Sequence, residues 1–114
     1  MNSITTHVLD IARGRPAAGV PIHLERRDAS GAWQLVGKGA TDDDGRLRTL
    51  VPADRALETG VYKITFDTEQ YYASQSVTGF YPEASITFHV RDASQHYHVP
   101  LLLSPFGFST YRGS

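Results

Sequence analysis

Cysteine is absent from this 114-residue chain, which excludes a disulfide framework, a thiolate nucleophile and a cysteine-based zinc site. No apolar run approaches the ~20 residues needed to span a bilayer. The first residues, Met-Asn-Ser-Ile-Thr-Thr-His, lack the basic start and apolar core of a signal peptide. From these features we expect a cytoplasmic protein with no membrane partner.

Charge of one sign is also scarce, because the formal net charge is −1 and neither sign forms a long block. A chain without a strongly basic surface is not expected to bind nucleic acid. The length fits one domain, residues 1–114, that is large enough to have its own core. The hydrophobic fraction of 40% is that of an ordinary globular domain.

Short segments with the pattern of β-strands alternate with turn signals along most of the chain. In residues 20–26 the apolar Val20, Ile22 and Leu24 alternate with polar residues, as in a half-buried strand. We predict turns at residues 13–16 and 41–45 and one short helix, capped by Asp67 or Thr68 and ending near Gln75. The predicted strands comprise residues 4–11, 20–26, 33–37, 47–51, 60–66, 86–91, 97–103 and 107–111. About eight strands with this spacing predict an all-β fold, a two-sheet antiparallel β-sandwich.

The C-terminal residues 96–114 are unusually apolar and aromatic for a chain end. Terminal segments are commonly small, polar and poorly ordered. This one carries His96 and His98 and ends on Tyr111, Arg112 and the terminal carboxylate. We therefore expect the tail to be buried and to bring polar groups to a site.

His96 and His98 are two residues apart, so in a strand both side chains point to the same face. They could bind a metal ion as neutral imidazoles, act as a general base, or be two solvated surface residues. A metal site would need a third ligand, for which His7, His23 and His89 are the candidates. No His-x-x-x-His spacing supports the metal interpretation.

The remaining candidate groups are also open to two interpretations. His7 alone is more typical of a partly exposed strand residue than of a catalytic group. Arg46 and Arg48 could pair with the aspartates of the turn at 41–45, or form a guanidinium fork for a planar, oxygen-rich ligand. Tyr111 could stack on a ring, donate a hydrogen bond, or lie in a mobile tail. The chain has no Gly-x-Ser-x-Gly elbow and no phosphate-binding glycine loop, so these patterns alone name no reaction.

Four segments, in order along nearly the whole chain, resemble the transthyretin-like family. They are Thr6-His-Val-Leu-Asp10, Asp43-Asp-Gly-Arg46, Gly60-Val-Tyr-Lys63 and the closing Leu102-Leu-Ser-Pro105 with Ser109-Thr-Tyr-Arg-Gly-Ser114. This family includes vertebrate hormone carriers and the 5-hydroxyisourate hydrolases of purine catabolism. The hydrolases resemble this chain in having histidine, arginine and histidine at positions 7, 46 and 98 and in ending on Tyr-Arg-Gly-Ser. The carriers have lysine, glutamate and threonine at those three positions. Many hydrolases have tyrosine where this chain has Phe108.

The resemblance implies an enzyme that hydrolyses 5-hydroxyisourate to 2-oxo-4-hydroxy-4-carboxy-5-ureidoimidazoline, without metal or cofactor. It implies catalytic roles for His7, Arg46 and His98, and substrate binding by His7, Arg46, Tyr111 and Ser114. We expect His98 to orient or deprotonate water, although His7 and His98 could exchange roles. The expected assembly is a homotetramer with active sites between its dimers. The alternative function is a non-catalytic small-ligand binding or carrier module of the same fold.

Overall fold

The computed structural model describes residues 3–114, which form nine β-strands and one short α-helix. The elements are β1 (Ile4–Asp10), β2 (Arg15–Pro16), β3 (Pro21–Arg27), β4 (Trp33–Ala40), β5 (Arg46–Leu47), β6 (Gly60–Phe66), α1 (Thr68–Ser74), β7 (Ala84–Val90), β8 (Tyr97–Ser104) and β9 (Gly107–Thr110). Within the described residues, no helix is long and apolar enough to cross a membrane.

The strands form two sheets, which confirms the predicted all-β sandwich. One sheet has the order β2-β1-β8-β9, with β5 also paired to β1, and the other has the order β4-β3-β6-β7. The prediction of purely antiparallel sheets is wrong at one place, because β1 and β8 pair in parallel, with Ile4 opposite Tyr97. Parallel neighbours need a long crossover connection, and here the other sheet and the helix lie between them in the sequence.

Two predicted segments differ from the observed elements. Residues 13–16, predicted as a turn, end in the two-residue strand Arg15–Pro16, which pairs with the end of β1. The strand predicted at 47–51 is only Arg46–Leu47, and the chain beyond it leaves the sheet. Leu50 is nevertheless fully buried. The apolar pattern therefore predicted the burial of Leu50 correctly, but Leu50 lies in a loop that packs on the core and not in a strand.

Alternation along β1 separates core residues from site residues. Ile4, Thr6 and Val8 point inward and are at most 1% exposed. Successive side chains of a strand point to opposite faces, so Thr5 and His7 project from the outer face of the same sheet. Ile22 and Leu24 of β3, together with Val20 just before it, form the predicted inward set and are likewise buried.

The short helix follows β6 and is anchored at both ends of its first turn. The Asp67 carboxylate accepts a hydrogen bond from Gln70 N at 3.0 Å, which confirms the predicted N-cap. The buried Tyr71 donates its hydroxyl proton to Asp10 Oδ2 at 2.8 Å. This bond ties α1 to the end of β1, the strand that carries the site residues.

The loop after β5 packs closely against β4 at Gly37. A Cβ atom at this position would overlap the backbone carbonyl oxygen of Leu50. We expect Gly37→Ala to lower the free energy of unfolding by about 3 kcal/mol, because the backbone must shift to relieve the overlap. Urea denaturation measures this change. The matched control is Gly39→Ala in the same strand, whose Cβ would meet only movable side-chain atoms of Leu47 at 3.1 Å. Equal stability of the two variants would contradict the prediction.

Candidate active site

The acidic turn before β5 holds Arg46 against the site strand. Asp42 Oδ1 accepts hydrogen bonds from the backbone N–H groups of Asp44 and Arg46, each at 2.9 Å. Gly45 adopts φ +75°, a conformation that glycine tolerates best. Its carbonyl accepts a hydrogen bond from Val8 N at 2.7 Å. The predicted turn is thus confirmed, and it fixes β5 beside β1.

Strand register then places the candidate groups on one sheet face. Arg46 lies opposite His7 in the β1–β5 ladder. His98 lies opposite Thr5 in the β1–β8 ladder. Because Thr5 and His7 share the outer face of β1, Arg46 and His98 converge on that face as well.

A cavity of about 250 Å³ opens on this face. Its lining residues come from β1, β5, the segment around β8 and the chain end, and they are Thr5, Thr6, Arg46, Arg48, His96, His98 and Ser114. Three predicted site residues, Arg46, His98 and Ser114, therefore meet in one cavity.

The two arginines of the cavity differ in whether their guanidinium groups form an ion pair. Arg48 Nη1 lies 3.8 Å from Asp42 Oδ2, an ion pair of two exposed side chains. Within residues 3–114, the Arg46 guanidinium forms no ion pair, and the bonds of Arg46 to Asp42 are made by its backbone N–H and carbonyl groups. An unpaired guanidinium beside a cavity can bind carbonyl or carboxylate oxygens of a ligand.

His98 is kept neutral by its surroundings. Its half-burial lowers the pKa of the imidazole from 6.5, and the nearby charge of Arg46 lowers the pKa further, with a smaller effect from His7. Both causes disfavour the charged imidazolium. A neutral imidazole carries a lone pair and can accept a proton from water near neutral pH.

The C-terminal tail is attached to β8 by backbone contacts. Gly113 N donates a hydrogen bond to the His98 carbonyl at 2.9 Å, and the two residues form an isolated antiparallel bridge. The Arg112 guanidinium lies over the Tyr97 ring, 4.7 Å from its centroid. These contacts carry Ser114 into the cavity.

The expectation of a buried tail is confirmed for the inward side chains of β8, which are Tyr97, Val99, Leu101 and Leu103, and is wrong for the residues that follow β8. Phe106 is 77% exposed and Tyr111 is 58% exposed. The residues after β8 run along that strand at the edge of its sheet, where no further strand from residues 3–114 covers their outer side. Burial of these side chains would require a second molecule.

Tyr111 and His7 lie apart from the other predicted residues. Tyr111 lines a second cavity of about 250 Å³, a largely apolar one that includes Phe88, and His98 forms part of the wall of both cavities. His7 lines neither cavity in the single chain, but it is the ladder partner of Arg46 and its charge acts on His98.

Thr5 and Thr6 line the cavity and were not considered as site residues in the sequence analysis, whereas His96 was considered there only as a partner of His98 with no assigned role. Thr5 Oγ1 lies within hydrogen-bond distance of both His96 and His98. The alternation of β1, which places Thr5 on the face of His7, was the available signal. His96 and His98 do share a face, as predicted, although His96 precedes β8. In the part of the chain from Ser3 onward, no group of three or more His, Cys, Asp or Glu side chains is arranged to hold a metal ion.

Comparison with known sequences shows what the chain is similar to. The profile described as "HIUase/Transthyretin family" matches residues 4–113. A relative from Salmonella dublin, named 5-hydroxyisourate hydrolase, is 44% identical over 113 residues, which are 99% of this chain and 82% of the relative.

Two solved structures share the fold. The 5-hydroxyisourate hydrolase of Klebsiella pneumoniae superposes with a TM-score of 0.86 at 34% identity and covers 100% of both chains. Sea bream transthyretin, solved in complex with thyroxine, superposes with a TM-score of 0.91 at 31% identity, over 97% of this chain and 94% of that one. Backbone similarity is thus high to an enzyme and to a hormone-binding protein alike.

Proposed function

The chain belongs to the HIUase/transthyretin family, and from this premise we propose that it is a hydrolase that opens the six-membered ring of 5-hydroxyisourate in urate degradation. The observation that carries the proposal is the cavity that Arg46 and His98 line together, where burial and the nearby charge of Arg46 lower the pKa of His98. A relative named for this activity is 44% identical over nearly the whole chain. No metal or cofactor takes part in the proposed reaction.

The proposed reaction begins with a water molecule activated by His98. The imidazole takes a proton from water as the oxygen attacks a ring carbonyl carbon, and a tetrahedral oxyanion forms. When this intermediate collapses, the C–N bond breaks, the carbonyl carbon becomes a carboxyl group, and the proton is delivered to the departing nitrogen. One water is consumed, and the product is 2-oxo-4-hydroxy-4-carboxy-5-ureidoimidazoline.

The other site residues bind the substrate and stabilise charge. Arg46 holds ring oxygens and stabilises the developing oxyanion, a contribution on the order of 3 kcal/mol for one such donor. His7, beside Arg46, completes the imidazole pair and contacts the substrate. Tyr111 and Ser114 shape the two sides of the pocket around His98. In this assignment His98 is the base because it borders both cavities, whereas His7 borders neither in the single chain.

We also propose that the protein forms a homotetramer with its active sites between dimers. The support is a cluster of exposed aromatic side chains beside β9, in which the Tyr81 ring packs edge-on against both Phe80 and Phe108. Isolated surface aromatics are ordinary, but a contiguous set indicates an interface. Closed symmetric assemblies would cover this set and complete the open cavity. Size-exclusion chromatography with light scattering measures the oligomeric state, and a monomer at micromolar concentration would contradict the assembly.

A coupled assay tests the activity directly. Urate and urate oxidase generate 5-hydroxyisourate, and its ultraviolet decay is followed with and without the protein. We expect decay well above the spontaneous rate. Spontaneous decay in the presence of folded protein would contradict the hydrolase and favour the non-catalytic small-ligand module.

The acidic limb of the pH–rate profile should lie below 6.5, the ordinary pKa of histidine. His98 acts as a base only when neutral, and its lowered pKa keeps it neutral as the pH falls through that value. Replacing Arg48 with glutamine removes a positive charge that lowers this pKa, so the limb should move to higher pH. The profile of kcat/KM measures this shift. The charge-matched control is Arg27→Gln on the other sheet, and equal displacement in both variants would refute the local origin of the shift.

A further inference from the structure

A threonine hydroxyl lies between two imidazole rings at the wall of the site cavity. Thr5 Oγ1 is 2.8 Å from His98 Nδ1 and 3.0 Å from His96 Nε2. The other nitrogen of His96, Nδ1, is 3.3 Å from Ser3 Oγ. Thr5 is buried, whereas His96 is exposed. A chain of hydrogen-bonding groups therefore runs from the half-buried His98 to the protein surface.

The single hydroxyl proton permits two arrangements of this chain. A hydroxyl has one donor and two acceptor lone pairs, and a neutral imidazole has one N–H and one lone pair. In the first arrangement His98 Nδ1–H donates to Thr5, Thr5 donates to His96 Nε2, and the lone pair of His98 lies on Nε2. In the second arrangement every bond is reversed, and the proton of His98 lies on Nε2. These are a base form and an acid form of the same neutral ring.

The cavity arginines favour the base form before reaction. His98 Nδ1 faces Thr5, and within residues 3–114 its Nε2 has no hydrogen-bond partner. Nε2 is therefore the nitrogen that remains for substrate and water. Arg46 and Arg48 line the same cavity, and positive charge favours a lone pair over an N–H on the nitrogen that faces it.

We propose that Thr5 and His96 are positioning residues of a proton relay that exchanges His98 between its base and acid forms without charging the ring. This inference rests on the proposed hydrolase function. As His98 Nε2 takes a proton from water, its Nδ1 proton passes to Thr5 Oγ1, the hydroxyl proton passes to His96 Nε2, and the Nδ1 proton of His96 leaves toward Ser3 and solvent. As the C–N bond breaks, the protons return in the opposite order and Nε2 protonates the departing nitrogen.

The relay solves an electrostatic difficulty of this site. Positive or ionisable groups face the ring from several elements: His7 from β1, Arg46 from β5, Arg48 after it and His96 before β8. Among the described residues that line the cavity there is no aspartate or glutamate. A positive imidazolium in this setting would be repelled. The relay moves the transient charge to His96, where solvent stabilises it.

A pair of substitutions at Thr5 tests the relay. Thr5→Val keeps the shape of the side chain and removes the hydroxyl, whereas the matched Thr5→Ser keeps the hydroxyl. We expect Thr5→Val to lower kcat at least about tenfold with KM nearly unchanged, which is part of what general acid–base catalysis contributes. Thr5→Ser should retain most of the original kcat. Thermal denaturation verifies that both variants are folded. A kcat for Thr5→Val within twofold of wild type would overturn the relay.

A double-mutant cycle with His96→Ala separates a relay from two independent effects. In a relay both residues serve the same proton path, so the second substitution should cost little once the first is present. Fully additive losses in the Thr5→Val, His96→Ala double variant would overturn the proposal.

The tautomer of His98 gives a readout that needs no turnover. Nitrogen-15 NMR of the free protein should show the proton of His98 on Nδ1, and Thr5→Val should move it to Nε2. An Nε2–H tautomer in both proteins would disprove the relay even if hydrolysis is observed. An Nδ1–H tautomer that shifts in Thr5→Val, in a protein that leaves 5-hydroxyisourate decay at the spontaneous rate, would support the hydrogen-bond chain and reject the hydrolase.

Discussion

Replacing His98 with glutamine is expected to lower kcat for 5-hydroxyisourate about 10³-fold, within the range that general acid–base catalysis contributes. Glutamine can fill the space and form hydrogen bonds, but it cannot accept a proton from water. Arg46→Gln should lower kcat by about 10²-fold, because the developing oxyanion loses its charged donor. The decay assay with urate oxidase measures both losses against the spontaneous rate.

The matched control is His23→Gln. His23 lies in β3 on the other sheet, is paired at the surface with Glu25 at 3.5 Å, and lines neither cavity that contains His98. Its substitution should leave kcat unchanged. Full activity in His98→Gln would show that another group is the base, and His7 would then be the next residue to replace.

The second large effect is expected at Gly113, a residue with no side chain of its own. A Cβ atom here would lie 2.5 Å from His98 Cδ2 and 3.2 Å from Pro100 Cγ. Gly113→Ala therefore displaces either the His98 ring or the tail that carries Ser114. A misplacement of about 1 Å can cost about 10²-fold in rate, and we expect a loss of that size in kcat/KM. The same coupled assay measures it.

Stability should distinguish this effect from unfolding. Gly113 lies near the end of an exposed tail, so the denaturation midpoint of Gly113→Ala should stay close to that of the original protein. Gly107→Ala in β9 is the control, because its Cβ would come no closer than 3.8 Å to Ser104 Oγ, an ordinary contact. A Gly113→Ala variant as active as Gly107→Ala would show that the tail does not position His98.

The backbone of this chain is shared by proteins with different printed functions. The thyroxine-bound sea bream transthyretin superposes with a TM-score of 0.91 and the Klebsiella pneumoniae hydrolase with 0.86. Superposition alone therefore cannot assign an activity. The activity that we propose depends instead on side chains at a few outward positions of β1, β5 and β8, where this chain has His7, Arg46 and His98.

Local sequence patterns predicted correctly those elements whose formation depends on residues close together in the sequence. Residues 60–66 form the predicted strand with the same bounds, because their apolar alternation and β-branched residues need only a sheet on either side. The helix begins after Asp67, one of the two predicted caps, because capping involves a side chain and a backbone group three residues away. The acidic turn before Arg46 formed as predicted for the same reason.

Patterns failed where distant segments decide the outcome. The strand predicted at 47–51 ends at Leu47, and Leu50 is buried although it lies in a loop. Hydrophobic periodicity cannot distinguish a residue buried in a strand from one buried in a loop. The parallel pairing of β1 with β8 depends on how the chain crosses between sheets. Of the tail expected to be buried, the part after β8 is exposed in one chain, since within residues 3–114 no strand lies beyond β9 in that sheet.

By itself the sequence determined the all-β class and most strand positions. Through its resemblance it also determined the family and selected His7, Arg46 and His98 as candidate catalytic residues. Only the tertiary structure placed Arg46 and His98 in one cavity, put Tyr111 in another, and brought the Thr5 hydroxyl between two imidazoles. Alternation specifies which face of a strand a residue occupies. It does not specify which other strand lies alongside, because that choice is made by pairing between segments more than 90 residues apart in the chain.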